Sequence, residues 1–146
     1  MDDLQAINAT PATRVLVIDD SNTIRRSAEI FLRQGGHEVV LAEDGFDALA
    51  KVNDHAPQLI FCDILMPRLD GYQTCAIIKR NPRFAHVPVI MLSSKDGLFD
   101  KARGRMVGSE DYLTKPFTKD QLLRAVQQFG GAVAPDSGAA DTVPDA

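Results

Sequence analysis

The chain has 146 residues, of which 45% are hydrophobic and 25% are charged, a composition typical of one globular domain. Sixteen Lys and Arg stand against 20 Asp and Glu, a formal net charge of −4, which argues against a domain that coats nucleic acid, because such domains carry a basic excess. No apolar run is long enough to insert into a membrane, and two cysteines, Cys62 and Cys75, fit a reduced cytoplasmic setting better than a disulfide scaffold.

The two ends of the chain differ from its middle. Residues 1–12 are polar and lack periodicity, and residues 131–146 contain three Asp but no Lys or Arg. We expect a disordered N-terminal tail and a disordered acidic C-terminal tail, which leaves residues 13–130 as the folded domain. The segment after the last predicted helix is too short for a DNA-binding module, so we expect no nucleic-acid partner.

Short runs of apolar, β-forming residues predict five strands. Four are clear, at 15–18, 39–41, 59–62 and 89–92, and a weaker fifth lies at 111–113. These runs are continuously apolar rather than alternating, which indicates a sheet that is covered on both faces.

A helical pattern follows each predicted strand. The first helix ends at Gly35, the third spans 71–80, and the fourth has its apolar stripe at 98–106, where Leu98, Phe99, Ala102 and Met106 are expected to face inward. Thr118 and Gln121 form a capping box for the last helix. The order βαβαβαβαβα predicts an α/β fold with a doubly wound, five-stranded parallel sheet.

The predicted strand ends carry side chains with complementary chemistry: Asp19 and Asp20, Asp63, Ser93, and Lys115. Because parallel strands end at the same edge of a sheet, we expect these groups to lie together. Three adjacent carboxylates repel one another unless a cation is bound. Mg²⁺ prefers such oxygen ligands, whereas zinc is disfavoured because no His or Cys lies at these positions.

A carboxylate, a hydroxyl, an ammonium and a divalent cation suit phosphoryl transfer. Asp can act as a nucleophile and form an acyl phosphate. The transition state spreads negative charge over three phosphoryl oxygens, and Mg²⁺, Ser93 and Lys115 offer one partner to each.

These residues, with the Asp63–Pro67 loop, the Asp70-Gly71 pair and the Lys115–Phe117 segment, resemble the receiver domain of two-component response regulators. The resemblance covers about residues 14–129. It implies a flavodoxin-like (βα)5 fold and a cis peptide bond between Lys115 and Pro116, which is plausible because proline follows.

The resemblance also implies a role for each residue of the site. Asp63 is the phosphoacceptor, and Asp20 and Asp63 bind Mg²⁺ directly, with Asp19 acting through water. The backbone carbonyl of Leu65 completes the protein ligands of the metal. Asp20 could instead cap the following helix, but Ser21 can do so equally well. Lys95 also flanks this site in the sequence and, with Leu65, is a candidate to tune the lifetime of the phosphate.

Two further residues are implied to act after phosphorylation. Ser93 and Lys115 contact the phosphoryl group, and Ser93 replaces a Thr that many members of the family carry. Tyr112 occupies the position of the family's switch aromatic, so Ser93 and Tyr112 are the expected switch pair. Ordinary packing of Tyr112 on an edge strand remains the alternative.

The function that the resemblance implies is that of a single-domain response regulator rather than an enzyme. A histidine kinase or phosphotransfer domain would phosphorylate Asp63, and the domain would assist its own phosphorylation and dephosphorylation. The monomer or weak dimer would then signal by contact with a downstream protein. We expect the output face on helix four, strand five and helix five, where Lys101, Arg105, Lys119 and Arg124 lie.

Stretches at 66–75 and 89–101 resemble single-domain regulators of type IV pilus twitching motility, so the pilus machinery is the expected target. A phosphate-sink receiver and a flagellar chemotaxis-type regulator are the alternatives. An aspartate-nucleophile phosphohydrolase is disfavoured, because its D-x-D pattern is missing from the first strand. A nucleotide or flavin binder is disfavoured too, since no glycine-rich phosphate loop follows that strand. The three histidines, His37, His55 and His86, lie near predicted loops and are expected at the surface.

Overall fold

The computed structural model describes residues 12–94 and 98–130, and it does not describe the side chains of residues 98 and 99. Almost all of the two predicted disordered tails, and Lys95, therefore lie outside the described residues. The strands are β1 (Arg14–Ile18), β2 (Glu38–Ala42), β3 (Leu59–Asp63), β4 (Val89–Ser93) and β5 (Asp111–Thr114). The helices are α1 (Asn22–Gln34), α2 (Gly45–His55), α3 (Gly71–Arg80), α4 (Leu98–Met106) and α5 (Lys119–Ala125), and a π-helical turn over Val126–Gly130 extends α5.

The five strands form one parallel sheet in the order β2-β1-β3-β4-β5. The predicted fold class is therefore confirmed, including the weak fifth strand. The strand order reverses between β1 and β3, where Ile18 pairs with Cys62. Ligands of doubly wound sheets bind beyond the carboxyl ends of the strands at such a reversal, and Asp19 and Asp63 lie there.

Alternate residues of the central strands face opposite sides of the sheet. Val15 and Val17 of β1 belong to the core under α1 and α5, whereas Leu16 and Ile18 belong to the core under α2 and α3. All four side chains are fully buried. The continuous apolar runs therefore reflect a sheet with helices on both faces, as predicted.

The predicted inward stripe of α4 is wrong for the two members whose side chains are described. Met106 is 84% exposed, and Ala102 is also exposed. Gly104 is buried instead, and Ser109 and Met91 lie so close to it that little room is left for a side chain. Val107, directly after α4, packs against the core, so this segment presents the positions 100, 104 and 107 to the sheet. The apolar pattern predicted the wrong inward side of α4 because the residues that do face the sheet include a carboxylate and a glycine.

The predicted surface location of His37 is also wrong. His37 is only 7% exposed, and its Nδ1 accepts a hydrogen bond of 3.1 Å from the backbone N–H of Thr13. Burial lowers the pKa of His37 from its usual value, which agrees with an acceptor nitrogen on a neutral ring. His37 is thus a structural residue at the amino end of β2.

Two smaller expectations hold. The Lys115–Pro116 peptide bond is cis, and Cys62 and Cys75 are buried free thiols. In the part of the chain that the structure describes, no helix has the length and apolar character needed to cross a lipid bilayer.

Candidate functional site

Three carboxylates meet at the carboxyl edge of the sheet. Asp19 follows β1 and Asp63 ends β3, so the pairing of these two strands brings them together. Each of Asp19, Asp20 and Asp63 offers an oxygen within 4.8 Å of the others. Asp19 and Asp63 are buried, whereas Asp20 is exposed to solvent.

The loop after β1 fixes the orientation of Asp19 and leaves Asp20 outside the helix cap. Ser21 caps α1, since its hydroxyl accepts a hydrogen bond from the N–H of Ile24. The Oδ1 of Asp19 accepts from the N–H of Ser21 at 2.9 Å, and Arg25 donates to the Asp19 carbonyl at 2.6 Å. The sequence left both Asp20 and Ser21 as possible caps, and the structure shows that Ser21 is the one used.

Lys115 enters the site from the end of β5. Its Nζ lies 3.0 Å from Oδ1 of Asp63 and 3.2 Å from Oδ2 of Asp19. Its backbone N–H donates to the carbonyl of Ser93 at 2.6 Å, which holds this segment against the end of β4. Lys115 therefore joins two carboxylates from strands to which β5 is not directly paired.

Burial governs the proton affinity of Asp63. Loss of solvent, reinforced by the negative charge of Asp19, raises the pKa of Asp63 to about 6, although Lys115 and the N–H of Leu65 act in the opposite direction. Burial by itself lowers the pKa of Lys115, but the bond to Asp63 and the charges of Asp63 and Asp19 outweigh it and raise that pKa. Lys115 is therefore a permanent cation beside Asp63.

The residues present fit a hard divalent cation. One ammonium cannot balance the charges of Asp19, Asp20 and Asp63, so the ionised cluster retains a negative charge. The raised pKa of Asp63 reflects this excess together with burial. The ligand atoms are carboxylate oxygens within 4.8 Å of one another, and the exposed Asp20 leaves a solvent side from which metal-bound waters can be supplied.

The loop after β3 is packed tightly behind Asp63. The N–H of Gly71 donates to the Ile64 carbonyl at 2.9 Å, and a Cβ at Gly71 would collide with the carbonyl of Asp63. Asp70 caps α3 in a reciprocal capping box with Gln73. The side chain of Leu65 is 69% exposed, while its backbone N–H lies 3.4 Å from Oδ1 of Asp63.

Ser93 ends β4 and is 1% exposed. Its hydroxyl donates to Oδ2 of Asp100 at 2.9 Å. A cavity of about 210 Å³ lies beside this bond, lined by Ile64, Leu65, Ser93, Ser94 and Asp100. The sequence analysis missed Asp100 because an isolated Asp in a predicted helix is usually a surface residue. Its spacing of four and seven residues from Gly104 and Val107 is the signal that could have found it.

Tyr112 lies on β5 beside α4, half-buried. The Nζ of Lys101 is 4.8 Å from the centroid of its ring, a cation–π distance. Tyr112 also lines a cavity of about 280 Å³ between α4 and β5 that includes Arg105. The structure thus places Tyr112 on the face formed by α4 and β5 and brings Asp19, Asp20, Asp63 and Lys115 together at the edge of the sheet.

Comparison with known proteins identifies the family. Residues 15–127 match the family model of the response regulator receiver domain, which is most of the chain. The chain belongs to the response regulator receiver family. The resemblance drawn from the motifs and the expected receiver fold are therefore both confirmed.

Individual relatives are similar over most of the domain. The protein PilG of Pseudomonas aeruginosa is 66% identical over 114 residues, which cover 78% of this chain and 84% of PilG. The chain spans only about half the length of several other curated relatives that it matches.

Solved structures show the same fold. The chemotaxis protein CheY4 of Vibrio cholerae has a TM-score of 0.78 at 31% identity, covering 82% of this chain and 99% of CheY4. The receiver domain of the sensor histidine kinase PA1611 from P. aeruginosa has a TM-score of 0.76 at 29% identity, covering 83% of this chain and 99% of that domain. That structure has a magnesium ion coordinated in its active-site cleft.

Proposed function

We propose that this receiver is a response regulator that accepts a phosphoryl group on Asp63 from a histidine kinase or a phosphotransfer domain. The observation that carries the proposal is the position of Asp63, a buried carboxylate 3.0 Å from the ammonium of Lys115 within a cluster of three carboxylates. The protein is a signalling component that assists its own phosphorylation and dephosphorylation, not an enzyme with a separate substrate.

The transfer is a displacement at phosphorus. An oxygen of the ionised Asp63 carboxylate attacks the phosphorus of a phosphohistidine, and an O–P bond forms as the P–N bond breaks. The electron pair of the broken bond stays on the imidazole nitrogen, which takes up a proton from water. The product is an acyl phosphate on Asp63 and an unmodified histidine on the donor.

The chain's own residues supply positioning and charge. Lys115 is held at the site by Asp19 and Asp63, so its ammonium is in position to donate a hydrogen bond to a phosphoryl oxygen as Asp63 reacts. Ser93 lies at the neighbouring strand end and offers its hydroxyl to a second oxygen. Asp19, Asp20, Asp63 and the Leu65 carbonyl are the proposed Mg²⁺ ligands, with Asp19 acting through water. When bound, Mg²⁺ would neutralise charge on the phosphoryl oxygens.

The face formed by α4, β5 and α5 is the proposed output surface. Arg105, Lys119 and Arg124 are exposed on it, and Lys101 contacts the Tyr112 ring. Phosphorylation would draw Ser93 toward the new group, and Tyr112 would respond as the second switch residue. A coupling of about 1–3 kcal/mol is typical of allosteric proteins and changes partner affinity roughly 5- to 150-fold.

The output that we propose is control of type IV pilus twitching motility in the cytoplasm. It is supported by the 66% identity to PilG. A phosphate-sink receiver or a flagellar chemotaxis-type regulator would share the same site. Pull-down with the beryllofluoride-loaded chain separates these functions, because a pilus regulator retains a pilus-associated protein, a chemotaxis regulator retains a flagellar one, and a phosphate sink retains neither.

Phosphorylation of Asp63 is tested with Asp63→Asn. The wild-type chain, incubated with Mg²⁺ and either a phosphorylated histidine phosphotransfer domain or acetyl phosphate, is expected to gain the mass of one phosphoryl group in an adduct labile to hydroxylamine. Asp63→Asn is expected to gain none. Asp54→Asn is the control, because Asp54 is an exposed aspartate on α2. An Asp63→Asn chain that is modified at the wild-type rate contradicts the proposal.

A further inference from the structure

One carboxylate on α4 joins the candidate site to the start of α3. Oδ2 of Asp100 accepts a hydrogen bond of 2.9 Å from the hydroxyl of Ser93, and Oδ1 accepts one of 3.2 Å from the hydroxyl of Tyr72. We call this set of three residues the Asp100 bridge. It connects the last residue of β4, the first turn of α4 and the first turn of α3.

The Asp100 bridge competes with a phosphoryl group for Ser93. A serine hydroxyl has one hydrogen to donate, so Ser93 cannot donate to Asp100 and to a phosphoryl oxygen at the same time. The Asp100 carboxylate also lines the cavity of about 210 Å³ next to Ser93. The negative charge of the Asp100 carboxylate repels a phosphoryl group, so it disfavours the arrival of that group next to Ser93.

Tyr72 holds the other end of the Asp100 bridge. Its side chain is 5% exposed, and the guanidinium carbon of Arg103 lies 4.2 Å from the centroid of its ring. Burial, followed by the charge of Asp100, raises the pKa of Tyr72 to about 12, so the phenol remains a donor at neutral pH. Tyr72 also lines a cavity of about 350 Å³ between α3 and α4, together with Arg103 and Ile77.

We propose that Asp100 is a positioning residue that holds the Ser93 hydroxyl away from Asp63 in the unmodified protein, and that phosphorylation transfers this hydroxyl from Asp100 to the phosphoryl group. The inference rests on the proposed phosphorylation of Asp63 and adds its regulation. Release of Asp100 frees the first turn of α4 and changes the contact to Tyr72. The state of Asp63 is thereby transmitted to the groove between α3 and α4, on the side of α4 away from Tyr112.

The proposal is tested with Asp100→Asn, which keeps the shape of the side chain and removes its charge. Beryllofluoride with saturating Mg²⁺ is the probe, because it mimics a phosphoryl group on an aspartate. Weaker competition for Ser93 is expected to tighten the apparent affinity for beryllofluoride about 3- to 10-fold. The affinity for Mg²⁺ alone is expected to stay unchanged, whereas general damage to the fold would weaken both.

Tyr72 supplies an independent readout. The chain has two tyrosines and no tryptophan, so selective labelling of tyrosine rings gives two NMR signals, which Tyr72→Phe assigns. Beryllofluoride is expected to shift the Tyr72 signal in the wild type and not in Asp100→Asn. Tyr72→Phe removes one bond of the Asp100 bridge and is expected to tighten beryllofluoride binding by about 2-fold, a smaller effect because the Ser93 bond remains.

The matched control is Asp120→Asn, which alters an exposed aspartate in the first turn of α5. It is expected to change neither measurement. A folded Asp100→Asn chain with unchanged or weaker beryllofluoride affinity overturns the Asp100 proposal and leaves the phosphorylation of Asp63 standing. Absence of beryllofluoride binding in both the wild type and Asp100→Asn overturns both. Binding that appears only in Asp100→Asn supports the competition in its strongest form.

Discussion

Two of the interfaces between the sheet and its helices are closed by different means. Under α1 and α5, Leu32, Leu122 and Val126 are fully buried against the strands. On the opposite face, α4 presents Asp100 and Gly104 toward the sheet, and cavities of about 280 and 350 Å³ lie on its two sides. The first interface is apolar and closely packed, whereas the α4 interface is polar and leaves space.

This difference indicates which helices hold the site in place and which helix responds to a change in it. Moving a packed apolar helix forfeits many dispersion contacts at once and opens a void. A hydrogen bond can be exchanged for another of similar energy with little net cost. We infer that α1 and α5 keep the strands and the carboxylate cluster fixed, while α4 changes position when Ser93 changes partner.

The largest expected effect tests the packing of α1 against the sheet. Leu32→Ala creates a void between α1 and the sheet and is expected to lower the free energy of unfolding by about 2–5 kcal/mol. Met106→Ala is the control on α4, where the side chain is 84% exposed, and it is expected to change stability by less than about 0.5 kcal/mol. Urea denaturation measures both. Equal losses would contradict the placement of Leu32 in the packed core between α1 and the sheet.

The next effect concerns the charge of Asp63 in the absence of metal. Its pKa of about 6 lies above the ordinary value of 3.8, so the folded chain binds more protons than the unfolded chain between these values. Stability therefore falls as pH rises through this window. At pH 8, Asp63→Asn is expected to be more stable than wild type by up to about 3 kcal/mol.

Wild type and Asp63→Asn also test the sign of this pH-dependent change in stability. Below about pH 3 the Asp63 carboxyl is protonated in both folded and unfolded chains, and the advantage of Asp63→Asn is expected to vanish. Mg²⁺ added at pH 8 is expected to stabilise the wild type and narrow the gap. Thermal unfolding in chelator across pH makes the measurement, with Asp54→Asn as the control. An advantage that is constant with pH would show that charge is not its cause.

The smallest effect concerns the start of α3, which carries Tyr72. Asp70→Ala removes the cap that accepts from the N–H of Gln73 at 2.8 Å and is expected to cost about 1 kcal/mol. Hydrogen exchange should rise most in the first turn of α3. Gln73→Ala, which removes only the reciprocal bond to the Asp70 N–H, is expected to cost less. A larger loss for Gln73→Ala would contradict this assignment of the cap.

Local patterns predicted most of the fold. The apolar runs identified all five strands, because a strand buried on both faces has few polar residues. Capping residues such as Ser21 and Thr118 marked helix starts, since their side chains satisfy backbone N–H groups that have no helical partner. The same reasoning failed for His37, which is buried against Thr13, and for the inward face of α4, where the half-buried Asp100 accepts hydrogen bonds from Ser93 and Tyr72.

The sequence by itself determined the order of the elements and the set of strand-end residues, because hydrophobic periodicity and capping depend on neighbours along the chain. Only the tertiary structure decided that Lys115 joins Asp19 to Asp63, and that Asp100 joins Ser93 to Tyr72. Such contacts depend on strand order and on the distance and rotation of a helix relative to the sheet. Close packing of the whole domain sets these quantities, and no local pattern contains them.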